Sequence, residues 1–279
     1  MRNDTVLSND GTTIAYDVAG NDDRPLLLRI DGAATYRRLD PGRAAFTQRL
    51  TERFRVVSYD RRGRGASEDQ DGYAVDREIE DVAAVLDAFG ERGFVVGLSS
   101  GAALALRCAA AGLGIDALAC YEPPFVVSQD RPPVTPDYAM RLQEEVTAGR
   151  PGEAVKLFMT EAVGMPVAMV EGMAGQPFWS LLEQLAQTLV YDAHVMGDTM
   201  QGRPEAISAF SSVELPTLVM HGSASEPWLR SAASGLAETL RNGTLEELPG
   251  QTHDVDPVIL ADSIGSYFSS LRTNSEGHV

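Results

Sequence analysis

The sequence predicts an α/β fold, a mostly parallel sheet covered by helices on both faces, with a helical segment inserted late in the chain. Three observations predict it. Short apolar runs alternate with segments of helical periodicity, which is the rhythm of a parallel sheet. One such run, Gly93 to Leu98, breaks into Gly97-Leu98-Ser99-Ser100-Gly101 and passes at once into an Ala/Leu-rich stretch, so that strand, sharp turn and helix follow without a linker. Between about Phe125 and Ser212 the alternation stops, leaving only helical periodicity and Pro/Gly breaks.

Taken in order, Thr5-Val6-Leu7-Ser8 and Thr12 to Val18 flank Asn9-Asp10-Gly11, a hairpin signal. Pro25 to Ile30 is a short buried strand closed by Asp31-Gly32-Ala33-Ala34, and Ala44 to Leu50 has helical character. Phe54 to Tyr59 reads as a strand and leads into Asp60-Arg61-Arg62-Gly63-Arg64-Gly65-Ala66-Ser67. Ile79, Val82, Ala83, Leu86 and Phe89 recur at helical spacing, and Gly90 ends that helix. After the strand and helix around Ser99 comes the strand Ala117 to Tyr121, ended by Glu122-Pro123-Pro124. Beyond the helical insertion the rhythm resumes with the strand Pro216 to Met220, a helix from about Pro227 to Leu240, and the strand Gly243 to Leu248. A last amphipathic helix is expected to end near Leu271, with Thr273 to Val279 as a frayed tail. These runs make eight strands.

Composition narrows the function classes. A chain of 279 residues with 44% hydrophobic content suits one large domain carrying an inserted lobe. Its start, Met1-Arg2-Asn3-Asp4-Thr5, is polar, and no apolar run approaches the roughly 20 residues needed to span a bilayer. A cytoplasmic protein is expected. The net charge of −17 repels nucleic acid and anionic membranes, leaving a small molecule as the expected partner and a monomer or homodimer as the expected state. Cys108 and Cys120 read as small buried fillers. With no metal-ligand cluster and no dinucleotide fingerprint after the first strand, no cofactor is expected. Seven of the nine methionines fall between Met140 and Met200, where they serve either a helical core or an adaptable apolar lid.

The chemistry is concentrated at Ser99. A serine on so sharp a strand-to-helix turn needs small neighbours, which Gly97 and Gly101 supply, and the following helix aims its N-terminus at the serine oxygen. With that turn, the Asp60 to Ser67 segment, the Pro216 to Gly222 strand ending in His221-Gly222, and Gly250-Gln251-Thr252-His253 before the last helix, the chain resembles the α/β-hydrolase superfamily. The order of the four features matches the family, and the resemblance covers nearly the whole chain. It implies an eight-stranded hydrolase core over residues 1–125 and 207–279, with an inserted helical cap over 126–206.

Nucleophilic serine needs a base, and histidine has the suitable unperturbed pKa. Of four histidines, His278 lies in the tail, His194 in the cap and His221 at a strand end where the family commonly keeps a structural histidine. The resemblance puts the catalytic base at His253. The family most often carries its acid where this chain has Ser225, in His221-Gly222-Ser223-Ala224-Ser225-Glu226-Pro227, and serine cannot hold an imidazolium as a carboxylate does. Glu122 is the first choice, because some relatives carry the acid at that strand end. Glu226 is the alternative, one residue from the usual position, and Asp254 is a third. The implied oxyanion hole uses the backbone N–H groups of Ala33 and Ser100. Asp31 stands where relatives usually have histidine, and a carboxylate there opposes oxyanion charge unless neutralised, with Arg29, Arg37 and Arg38 as available partners.

The implied activity is a serine esterase acting on a small to medium apolar carboxylic ester, thioester or lactone through an acyl-enzyme on Ser99. A perhydrolase using the same triad, or a non-hydrolytic cyclase or lyase using the pocket, is the alternative. A ligand-binding relative without turnover is a third reading, which retention of Ser99 and His253 disfavours.

Overall fold

The computed structural model describes residues 2–90 and 92–276. Its centre is a single sheet of eight strands: β1 (Arg2–Leu7), β2 (Thr13–Ala19), β3 (Leu26–Ile30), β4 (Arg55–Tyr59), β5 (Gly93–Leu98), β6 (Ile115–Tyr121), β7 (Thr217–Gly222) and β8 (Gly243–Leu248). Their order across the sheet is β1-β2-β4-β3-β5-β6-β7-β8. β2 runs antiparallel to both its neighbours, and the pairs from β4 to β8 are parallel. The hairpin expected at Asn9-Asp10-Gly11 joins β1 to β2, with Gly11 at φ 85° supplying the left-handed turn residue.

The helices are α1 (Arg43–Leu50), α2 (Val75–Asp87), α3 (Ser100–Ala110), α4 (Tyr138–Thr147), α5 (Pro151–Leu157), α6 (Val167–Met173), α7 (Trp179–Gln184), α8 (Ala186–Met196), α9 (Pro227–Thr239) and α10 (Pro257–Glu276). Side chains alternate across the sheet, and the two faces take different helices. Leu27, Val56, Phe94, Val96, Ala119 and Met220 meet Phe46 and Leu50 of α1 and Ile264 and Phe268 of α10. On the opposite face, Leu28, Val57, Val95, Leu118 and Val219 belong to the larger core, shared with α2, α3, α9 and the helices between β6 and β7. Both cysteines are free and buried in this larger core, and burial pushes the Cys120 thiol up to about 12.

The sequence reading of the C-terminus is corrected. α10 continues beyond Leu271 to Glu276, because no Gly or Pro falls between them and the Thr273 hydroxyl donates to the Ser269 and Ser270 carbonyls. His278, with Gly277 and Val279, lies outside the described residues. No helix among the described residues is long and apolar enough to cross a membrane.

Candidate active site

The register of the sheet sets the site. Leu98 pairs with Tyr121, and Tyr121 with Met220, so three neighbouring strands end together and hand their next residues to one edge. Ser99 follows β5, Glu122 follows β6, and His221-Gly222 closes β7. Ser99 adopts φ 54°, ψ −125°, a conformation that costs about 1–3 kcal/mol for a residue with a Cβ. It persists because its surroundings over-determine it: the Ser99 N–H donates to the Tyr121 carbonyl at 2.9 Å, and the turn is walled by glycines. A Cβ on Gly97 would lie 2.5 Å from Ala102 Cα, and one on Gly101 would lie 2.3 Å from the Ile30 carbonyl oxygen. Only glycine fits at either place.

His253, on the loop before α10, bridges serine and acid. Its Nε2 is 3.2 Å from Ser99 Oγ, and its Nδ1 is 2.7 Å from Glu122 Oε2. Glu122 is fully buried, at a left-handed φ of 43°. The Gly222 N–H donates to its Oε1 at 2.8 Å, and the Ser225 hydroxyl donates to the same oxygen. Burial by itself pushes the carboxyl up. The hydrogen bonds from His253, Ser225 and the Gly222 backbone outweigh it and hold Glu122 below the usual glutamate range. Ser225, standing where the family's acid usually does, thus serves the carboxylate of the neighbouring strand. Glu226 instead occupies the N-cap of α9, and Glu226 and Asp254 both line the cavity, but the imidazole bond goes to Glu122. His221 is buried at the end of β7, and His194 lies on α8 beside the Tyr73 ring.

Above the serine is a cavity of about 620 Å³, reached by Ala33, Ser99, Ser100 and His253 on the sheet side. Met159, Leu189 and Met196 from the helical insertion and Trp228 from α9 make the apolar wall. The methionines therefore divide: Met159, Met196 and Met200 line the cavity, whereas Met140 and Met169 are exposed and belong to neither core nor cavity. Asp31 finds its counter-charge in Arg29, whose Nε donates to Asp31 Oδ1 at 2.6 Å while the other arm of the guanidinium reaches Asp40. Arg37 is spent on Asp17 and Asp60, and Arg38 lines a separate cleft.

The sequence reading missed a buried charge cluster beneath this cavity. Asp192 of α8 accepts from Arg61 Nη1 at 2.7 Å, from Arg64 Nη2 at 2.6 Å and from the Ser100 hydroxyl at 2.8 Å. Arg61 also holds Glu78 of α2 with two hydrogen bonds, and Arg64 Nη1 donates to the Gly32 carbonyl at 2.6 Å. Two guanidiniums and two carboxylates balance. Burial pushes both carboxyls up, but the adjacent guanidiniums hold Asp192 and Glu78 below their ordinary values. A signal was present in the sequence, one aspartate inside the apolar run Leu189-Val190-Tyr191-Asp192-Ala193, although its partners lie some 130 residues away.

Comparison with known proteins agrees with this fold. Residues 31–262 match the Alpha/beta hydrolase family. A solved structure of an alpha/beta hydrolase from Sphaerobacter thermophilus is 46% identical, with a TM-score of 0.85, and the match covers 95% of this chain and 100% of that one. A bifunctional esterase/perhydrolase from Acinetobacter calcoaceticus is 28% identical across 93% of this chain and 95% of its own. A non-heme chloroperoxidase from Streptomyces lividans is 27% identical across 89% and 92%. The fold, the Gly-x-Ser-x-Gly turn at the end of β5 and the family match converge: the chain belongs to the alpha/beta hydrolase family.

Proposed function

We propose that this hydrolase is a serine esterase that cleaves small to medium apolar carboxylic esters, thioesters or lactones through an acyl-enzyme on Ser99. The observation that carries the reading is the hydrogen-bonded line from Ser99 Oγ through the His253 ring to Glu122. His253 Nε2 takes the serine proton as Ser99 Oγ attacks the carbonyl carbon. The carbonyl oxygen becomes an oxyanion held by the N–H groups of Ala33 and Ser100. Ser100 opens α3, so its amide is among the first-turn donors that lack an acceptor within the helix. His253 then protonates the departing alkoxide or thiolate, and the acyl-enzyme remains. Water repeats the sequence, losing its proton to His253 and releasing the acid. Glu122, ionised and bound to Nδ1, stabilises each imidazolium.

The cavity wall supports the substrate class. Methionine, leucine and tryptophan side chains favour an apolar acyl group, and the carboxylates of Glu226 and Asp254 around it disfavour an anionic one. The helical insertion acts as the cap that gives this cavity its roof. The test is a fluorophosphonate probe with the adduct located by peptide mass spectrometry. Rapid labelling of Ser99, collapsing in Glu122→Gln and persisting in Glu226→Gln, is expected; a folded wild type that stays unlabelled overturns the reading.

Perhydrolysis is a second reading, favoured by the similarity to the esterase/perhydrolase and the chloroperoxidase. Hydrogen peroxide would replace water in the second half, giving a peracid and free Ser99. Peracid trapped by bromide oxidation during turnover with p-nitrophenyl acetate and peroxide supports it. Hydrolysis without peracid removes it.

A further inference from the structure

Both amides of the proposed oxyanion hole are tied to the same carboxylate, and that carboxylate comes from the helical insertion. The Gly32 carbonyl and the Ala33 N–H belong to one planar peptide, so whatever fixes the carbonyl fixes the N–H. Arg64 Nη1 donates to that carbonyl at 2.6 Å, while Arg64 Nη2 is held at 2.6 Å by Asp192 Oδ2. A cationic donor on the carbonyl also withdraws electron density from the peptide, which makes its N–H a stronger donor to an anion. On the other side, the Ser100 hydroxyl donates to Asp192 Oδ1 at 2.8 Å, which fixes the first residue of α3. Arg61 Nη1 approaches the same oxygen at 2.7 Å and lies 3.5 Å from both the Asp31 carbonyl and the Ser100 hydroxyl, spanning the gap between the two loops. Arg61, Arg64, Ser100 and Asp192 are all buried. None of these side chains is needed to take or give a proton in the proposed hydrolysis, and a general stabilising role does not require that both links end on the oxyanion loops.

We infer that Asp192 is a positioning residue that sets the two oxyanion amides, acting on Ala33 through Arg64 and on Ser100 through its hydroxyl. The inference rests on the serine-hydrolase reading above. It makes the insertion part of the catalytic geometry as well as the roof of the cavity. An amide displaced by a fraction of an ångström still admits the ester, whose carbonyl is neutral, but binds the oxyanion less well. The loss therefore belongs in kcat and in the affinity for tetrahedral analogues, leaving KM in place.

The test compares wild type with Ser100→Ala, Arg64→Lys and Asp192→Asn, using p-nitrophenyl butyrate and an alkyl trifluoromethyl ketone that forms a tetrahedral adduct on the serine. Ser100→Ala removes one link without touching the ion pairs, so it decides the matter if Asp192→Asn fails to fold. Arg64→Lys keeps the charge but loses the fork that joins Asp192 to the Gly32 carbonyl. In each folded variant kcat is expected to fall about tenfold or more, below the full loss of one oxyanion donor, with KM within about twofold. Affinity for the ketone should fall by a similar factor. Folded Ser100→Ala and Arg64→Lys that keep kcat within about twofold, or that lose activity through KM with unchanged ketone affinity, overturn the inference while leaving the parent reading intact. A wild type that neither turns over the ester nor takes fluorophosphonate on Ser99 defeats both.

Discussion

Glu122 is held at φ 43° with no glycine to ease it, and the hydrogen bonds that hold it there are the ones that keep it ionised. Replacing it by glutamine keeps the shape and removes the charge, so Glu122→Gln is expected to lower kcat about 10²- to 10⁴-fold with little change in fold, as measured by steady-state ester hydrolysis beside circular dichroism. Glu226→Gln should stay within about threefold. Because β6 and β7 are adjacent, a carboxylate can be supplied from either strand end, and Ser225→Asp added to Glu122→Gln should recover at least about tenfold of the lost kcat. No recovery would mean that a carboxylate carried at the Ser225 position cannot reach the ring. Ser99 was legible from its strand-turn-helix context, whereas His253 and Glu122 were named from the family resemblance of the loop before the last helix and of the strand end after Tyr121. The sequence left Glu226 and Asp254 open because the distance from a carboxylate to a ring is a property of the folded sheet edge.

At the scale of elements, the turn between β5 and α3 is tightly constrained. Gly97→Ala and Gly101→Ala each drive a Cβ into backbone atoms that cannot move aside, and each is expected to lower unfolding free energy by about 3 kcal/mol in urea melts. The helices between β6 and β7 were legible as helices from their periodicity, but their faces were not. Met140 and Met169 point to solvent, while Met159 and Met196 reach the cavity, and a methionine carries no mark of which surface it will find. If Met196 sets the depth of the acyl site, Met196→Trp should cut kcat/KM for p-nitrophenyl hexanoate at least about tenfold more than for the acetate. Equal losses on both esters would place the acyl chain elsewhere.

For the whole molecule, acid stability follows from three buried carboxylates. Glu122, Glu78 and Asp192 all titrate lower in the folded chain than their ordinary values of 4.5, 4.5 and 3.8. The unfolded chain therefore binds protons first as the pH falls, and the stability these groups lend is complete above about pH 5 and is lost as pH drops through the folded values. Urea midpoints should stay level from pH 8 to 5 and fall below about pH 4. In Glu122→Gln, that acid-side fall should be shallower. The alternation of strands and helices exposed the sheet early, because hydrophobic period is local. The Arg61–Glu78–Asp192–Arg64 cluster stayed hidden, since its charges are scattered along the chain and only the folded sheet gathers them. That cluster also governs traffic. Lifting α8 off the sheet would pull Asp192 away from Arg61 and Arg64 and strand a buried carboxylate, leaving Arg61 with Glu78 and Arg64 without its counter-charge, so α8 resists swinging open with the rest of the roof. Breathing falls instead to α6 and α7, which carry exposed Val167, Met169 and Leu181, and no ion pair among the described residues ties them to that cluster. Brief proteolysis with subtilisin should nick the 163–178 stretch first and leave α8 seated. The outer helices of the insertion then move while the buried cluster beneath the cavity holds still.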